Sequence, residues 1–270
     1  MELFIKNKNL LKHYNLNYIE KRYLDGVLNE NINKNSKIAI EYFGKNITFK
    51  QLSKITEKDG LHEKILELAH NSFNNIKFTI DSNGKLNKIR NLDEISKNWE
   101  NTKKYYFSHI KEKNINDFIF EISKLIKNEE ALTEMVKKYN VIPYLFMGLY
   151  NQEYSESFPV RINTDFYNIF SSIPIPVILE IYGKNTLYDC KALHFTGKED
   201  SSFDRFTYMD TFEKKYPELK DYNREDFDMK INGVYIYDPN NLLIYFEVNI
   251  ALEVRKKFKG KITYTLKEEV

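Results

Sequence analysis

The chain has 270 residues, 41 basic against 39 acidic side chains and a net charge of +2. That balance excludes the electrostatic footprint of a nucleic-acid binder, and the single cysteine, Cys190, excludes an internal disulfide. No apolar window approaches the ~20 residues that span a bilayer, and the opening Met-Glu-Leu-Phe-Ile-Lys-Asn-Lys-Asn has no basic segment followed by an apolar run, so a cytoplasmic protein without membrane insertion is expected.

Residues 12–49 read as strands. Tyr14, Leu16 and Tyr18 alternate with polar residues, and Arg22 to Leu28 continue the run. Asn29 to Ser36 reads as a polar connection. Ile38, Ile40 and Tyr42 alternate again, end at Gly44-Lys45-Asn46, and return through Ile47 and Phe49, as an antiparallel start to a sheet. Thr48 or Ser53 is suited to cap a following helical region, and a helix is predicted from about Leu61 to His70, with Leu61, Ile65, Leu68 and Ala69 on one face.

The strongest local signal is Phe78 to Trp99. Phe78 and Ile80 alternate with Thr79, Asp81-Ser82-Asn83-Gly84 turns the chain, and Leu86 and Ile89 return. Asn-Gly between two such runs marks a hairpin, because glycine accepts positive φ without a Cβ clash. Asn91 or Asp93 then starts a helix running to about Ile110, with Asp93 and Glu94 at the positive end of its dipole. Leu92, Ile95 and Trp99 share one face, which makes the only tryptophan a core anchor. The Asp81 loop lacks the acidic spacing and closing glutamate of a calcium loop.

Further helices are predicted over about Ile115 to Lys127 and from Asn128-Glu129-Glu130 onward. The apolar run Val141 to Tyr150 reads as a buried helix started by Pro143, with an exposed docking segment as the alternative. Residues 151–175 look irregular, and a soft boundary falls there. Strands are predicted over Val177 to Tyr182, after a turn at Gly183-Lys184-Asn185 over Leu187 to Phe195, then over Met229 to Tyr237, Leu242 to Leu252 and Lys261 to Leu266. Thr196 to Asp204 reads as a polar stretch, and Phe206 to Leu219 holds a short helix. The segments 78–86 and 235–243 echo each other, each a strand, an Asp-x-Asn turn and a strand.

Little in the residue spacing points to a catalytic or metal-binding constellation. The five histidines, His13, His62, His70, His109 and His194, show no metal-ligand spacing. Cys190 and His194, four apart on one strand face, stand about 13 Å apart, too far for direct activation. Nine glycines supply no phosphate-cradling loop, and no Gly-x-Ser-x-Gly elbow occurs. Glu199, Asp200 and Asp204 form an acidic cluster that reads as a solvated loop, with an acid–base pair or metal site as the sharper alternative. The run Arg255-Lys256-Lys257-Phe258-Lys259 suits an acidic partner or a guarded strand edge.

Asn91, Glu94, Ile95 and Trp99, set after the apolar strand and glycine turn of 78–84, resemble a pattern in a group of uncharacterised bacterial proteins associated with type VI-like secretion gene clusters. There the same helix start is followed by more helices and a β-rich C-terminal half. The match is specific over about twenty residues and architectural elsewhere. The resemblance implies a secretion-system accessory, effector adaptor or immunity protein, and it carries over no catalytic residue.

The expected fold is α+β, with antiparallel sheets in an N-terminal lobe (1–150) and a β-rich C-terminal lobe (151–270) packed against it, and a helical middle. The expected function is non-catalytic protein binding, with an effector, toxin or spike component as partner and a homo-oligomer as a further possibility. No catalytic, cofactor-binding or metal residue is assigned and no cofactor is expected. The alternatives are a lipid- or small-ligand-binding half-barrel and an enzyme whose site is dispersed in sequence, drawing on Glu199, Asp200 and His194. With 20 tyrosines and 19 phenylalanines, a recognition surface is well supplied.

Overall fold

The computed structural model describes residues 1–5, 9–54, 71–107, 113–139, 141–219, 227–254 and 257–269. The helix predicted over 61–70, with His62 and His70, lies outside them, as do His109, Arg255 and Lys256. The chain is mixed α and β, with a large antiparallel sheet and few helices, most of them mid-chain. It divides into two compact units. The N-terminal unit takes Ile5–Tyr14 and Ser36–Leu149; the C-terminal unit takes Met1–Phe4, Asn15–Asn35 and Tyr150–Val270.

In the C-terminal unit the short strand β1 (Glu2–Leu3) pairs antiparallel with β7 (Gln152–Glu153). Two long strands contribute to both units: β2 (Asn9–Leu24) and β3 (Val27–Phe43). They are joined at Asp25-Gly26, where both residues take positive φ, +48° and +81°. That is the backbone of the tight hairpin turns whose twist matches paired strands. The predicted polar connection over 29–36 is therefore strand. Its residues still alternate, with Glu30, Ile32 and Lys34 half-buried between exposed neighbours, but Ile32 is the one apolar residue of the three, so hydropathy hides the period.

In the N-terminal unit the strand order is β2-β3-β4-β5-β6, with β4 at Asn46–Lys54, β5 at Asn75–Ile80 and β6 at Leu86–Ile89. Thr48 and Ser53 lie within β4, and the helical region that either was expected to cap falls outside the described residues. The register sets Ile47 opposite Phe78 and Phe78 opposite Ile89, one continuous apolar row. Helix α1 (Leu92–Thr102) buries Ile95 and Trp99, with Trp99 only 1 % exposed, and Trp99 Nε1 donates to Ser123 Oγ at 2.8 Å. Asn91 stands at the N-cap position, but its side chain serves the sheet. Its Oδ1 accepts from Lys77 N at 2.8 Å and its Nδ2 donates to Asn75 O at 2.9 Å. The helix ends at Thr102 and passes into a π-helical turn over Lys103–Phe107. Helices α2 (Lys113–Ile126) and α3 (Glu129–Lys137) follow, and Asn128 caps α3 by accepting from Ala131 N at 3.0 Å. Val141 to Tyr150 is buried apart from a half-buried Pro143 in the first turn of the short helix α4 (Ile142–Leu145).

The C-terminal unit holds the order β3-β2-β13-β12-β11-β10-β9-β8. Its strands are β8 (Val160–Phe166), β9 (Ile175–Asn185), β10 (Lys191–Glu199), β11 (Phe227–Tyr237), β12 (Leu243–Val254) and β13 (Phe258–Glu268). The stretch expected to be irregular thus contains β8, whose Arg-x-Asn-x-Asp alternation is polar on one face only. The turn expected at 183–185 is strand, and the chain reverses over Thr186–Cys190 instead. β10 likewise runs through Thr196 to Glu199. One sheet face is apolar, with Leu179, Ile181, Phe195, Ile231, Tyr235, Val248 and Ile262 all buried. Helix α5 (Arg205–Lys215) covers part of it through Tyr208, Met209 and Phe212. The ring of Phe212 meets Phe258 edge-on at 4.9 Å.

Arg22 sits between the rings of Phe170 and Tyr216, 6.0 Å from each centroid. Its Nε donates to Glu20 Oε1 at 2.6 Å, and its guanidinium also pairs with Glu30. Glu20 is 6 % exposed and accepts from the Tyr18 hydroxyl as well. Burial raises the Tyr18 phenol far above its ordinary range, and Tyr264 and Glu20 add to the effect. Burial, then Arg22, holds the Lys215 ammonium below the usual lysine range. This network ties the tip of the β2–β3 hairpin into its unit. The buried Glu20 carboxylate is stable only while it keeps its cationic partner Arg22.

Candidate functional site

The face of the C-terminal sheet opposite α5 carries the polar half of each strand's alternation. Strand register lines these residues into rows. One row reads Arg161, Glu180, Thr196, Asn232, Asn249 and Thr263; the next reads Tyr182, His194, Val234, Glu247 and Thr265. The rows are bonded along and across the strands. Asn249 Nδ2 donates to Glu247 Oε1 and Tyr245 OH donates to Glu247 Oε2, both at 2.7 Å, and Thr263 Oγ1 lies 2.9 Å from Asn249 Oδ1. Burial, with the Glu247 carboxylate beside it, pushes the Tyr245 phenol up to about 12. Tyr245 thus remains a hydrogen-bond donor at neutral pH, and the rows form a pre-positioned polar surface.

At one end of this face Glu156, Tyr182, Gly183, Lys184 and His194 line a cleft of about 160 Å³. That is below the 300–1,000 Å³ of sites that engulf organic ligands. The cleft offers a carboxylate, an ammonium, a phenol and an imidazole to a passing surface.

The chain then leaves the sheet at the β9–β10 tip. Thr186 closes this tip, its N–H donating to Cys190 O at 2.7 Å and its hydroxyl to the same oxygen at 3.1 Å. Inside the closure Tyr188 and Asp189 take φ of +61° and +56°, a left-handed backbone that costs about 1–2 kcal/mol for a residue with a Cβ. Tyr188 and its neighbour Leu187 are 90 % and 81 % exposed.

The residues singled out from the sequence are dispersed. Asp200 Oδ1 accepts from Ser202 Oγ at 2.6 Å and Ser202 N at 2.8 Å, and those bonds hold its carboxyl below the usual range. Asp204 caps α5, accepting from Thr207 Oγ1 at 2.6 Å and Thr207 N at 3.0 Å, and is lowered for the same reason. Glu199 pairs with Arg205. His194 stands five residues along β10 from Glu199, about 16 Å at the strand rise, on the opposite face. The structure therefore does not bring Glu199, Asp200 and His194 together as one site. His13 is exposed on β2, and Cys190 is half-buried at the tip closure. Of the basic run, Lys257 O accepts from Asp25 N at 2.7 Å, Phe258 is buried, and Lys259 pairs with Glu253 at 3.4 Å. Among the described residues, no group of three or more histidine, cysteine, aspartate or glutamate side chains could hold a metal ion, and no helix is long and apolar enough to cross a membrane.

Sequence reasoning missed Tyr182, Glu247 and the tip. The signal for the tip lies in Thr-Leu-Tyr-Asp-Cys, where two apolar residues sit between a threonine and an aspartate suited to turns. No protein-family model matches the chain, and no curated protein matches it.

Proposed function

We propose that this is a non-catalytic cytoplasmic protein-binding protein that holds another protein through the β9–β10 tip and the adjoining polar sheet face. Within that class, a secretion-system accessory, effector adaptor or immunity protein is the specific role, with an effector, toxin or spike component as the partner.

The observation that carries the reading is the exposure of Leu187 and Tyr188 at a tip where Tyr188 and Asp189 are left-handed, beside a polar cleft. Interfaces concentrate their energy in a few aromatic and apolar anchors ringed by polar groups. Tyr188 and Leu187 supply the anchors; Tyr182, Lys184, His194 and Glu156 supply the ring. The secretion-system role rests on the resemblance of 78–99 alone.

A photo-crosslinking residue placed at Tyr188 in the native host tests the reading. It is expected to yield one dominant cross-linked protein, and an absence of any cross-link at Tyr188 would count against it.

A further inference from the structure

We infer that strand β8 is an association edge through which two copies of this chain pair about a two-fold axis. This inference does not depend on the tip reading above.

β8 ends the strand order of the C-terminal unit. β9 pairs with one side of it, and among the described residues no strand pairs with the other. The edge strand of the N-terminal unit, β6, is only four residues long and is already attended. Ile89 N reaches Thr133 Oγ1 at 3.5 Å, and Lys88 pairs with Glu129 at 2.8 Å, both partners on α3. β8 is seven residues long and presents its free edge over Val160–Asp165.

An open edge of this length invites strand addition, and proteins usually blunt it with like charges or prolines. Pro159 precedes β8, but the charges within the strand are of opposite sign. Arg161 and Asp165 stand two residues either side of Asn163, all three exposed on the same face. Antiparallel self-pairing centred on Asn163 sets Arg161 against the partner's Asp165, twice by symmetry. It also keeps the buried-face residues together, with Ile162 opposite the partner's Thr164 and Val160 opposite the partner's Phe166. Sliding the register by two residues breaks both charge pairs against asparagine. Sliding it by four sets arginine against arginine or aspartate against aspartate. One register is therefore selected by charge.

Phe158 adds an apolar contribution. It is 80 % exposed, two residues before the strand. The same register carries it alongside the partner's chain just beyond Phe166, where its exposure falls.

Sedimentation equilibrium of the full chain tests the inference. The wild type is expected at twice the 32.3 kDa chain mass. Arg161→Asp alone and Asp165→Arg alone each set like charges together and should raise the dimer dissociation constant by about tenfold or more. An equimolar mixture of the two variants should return to twice the chain mass, because a two-acid strand then faces a two-base strand. Should Arg161→Asp fail to fold, since it also loses the Glu180 pair, Asp165→Arg alone carries the test. A wild type at single-chain mass throughout, a dimer indifferent to both variants, or two folded variants that do not associate when mixed would each overturn it.

Discussion

Asp81 and Asp238 hold the same turn. Asp81 Oδ1 accepts from the N–H groups of Asn83 and Lys85, both at 2.9 Å; Asp238 Oδ1 accepts from those of Asn240 and Leu242, at 2.8 and 2.9 Å. The backbone bonds match too, Asp81 N to Lys85 O and Asp238 N to Leu242 O, each 2.9 Å. At the fourth position both chains go left-handed, Gly84 at +89° and Asn241 at +63°. Glycine and asparagine are the residues that tolerate this.

Each aspartate therefore satisfies two backbone donors that the turn leaves without a carbonyl. Asp81→Ala and Asp238→Ala should each destabilise by about 1–3 kcal/mol, and Asp→Asn should recover part of that because an amide oxygen still accepts. Gly84→Asn should cost less than Gly84→Val. Urea unfolding measures all six variants, with Trp99 emission following the N-terminal unit for those at Asp81 and Gly84.

The Glu20–Arg22–Glu30 network predicts strong non-additivity. Arg22→Ala leaves the buried Glu20 carboxylate without its cation and should cost about 3–5 kcal/mol. Glu20→Gln combined with Arg22→Met removes both charges and keeps the volume between Phe170 and Tyr216. It should cost clearly less than Arg22→Ala alone. A double-mutant cycle by denaturant unfolding checks the sign of the coupling.

Stability should respond to pH at both ends. Burial pushes the Tyr139 phenol up to about 12, and Tyr245 also stands at about 12. The unfolded phenols ionise near 10, so between about 10 and about 12 the unfolded state binds fewer protons than the native state. Stability is full below that window and falls as pH rises through it. In acid the sign reverses. Hydrogen bonding from Lys77 first, then from Asn91 and Asn75, holds the Glu94 carboxyl below its usual range. Its contribution is present above the ordinary carboxylate range and is lost as pH falls through the depressed value. Glu94→Gln should flatten the acid limb, and Tyr139→Phe the alkaline limb, of stability measured against pH.

The hairpin and helix of 78–99 were legible because their determinants are local: an Asx turn, a glycine at the positive-φ position and a three-and-four apolar spacing. The helices from Lys113 to Lys137 were legible for the same reason. The polar half of β3 was not, because its strand comes from pairing rather than from Asn, Lys and Glu preferring to extend. β8 gives a weak signal because only Val160, Ile162 and Phe166 mark its inward face. The tip is hidden because Leu187 and Tyr188 suit a strand by residue type, whereas the Thr186–Cys190 closure and the left-handed Tyr188 and Asp189 make them the reversal. The polar rows of the candidate site join residues from six strands. No spacing within one strand reports that register.

The central claim is that Leu187 and Tyr188 anchor a protein partner. The most direct measurement is affinity capture of the tagged wild type from its own host, run beside Leu187→Ser/Tyr188→Ser and quantified by mass spectrometry. Truncating two anchors of about 2 kcal/mol each weakens binding by roughly a hundredfold or more. The account predicts one protein co-eluting stoichiometrically with the wild type and lost from the double variant. A wild-type eluate empty of partner, or a partner retained equally by the variant, would contradict it.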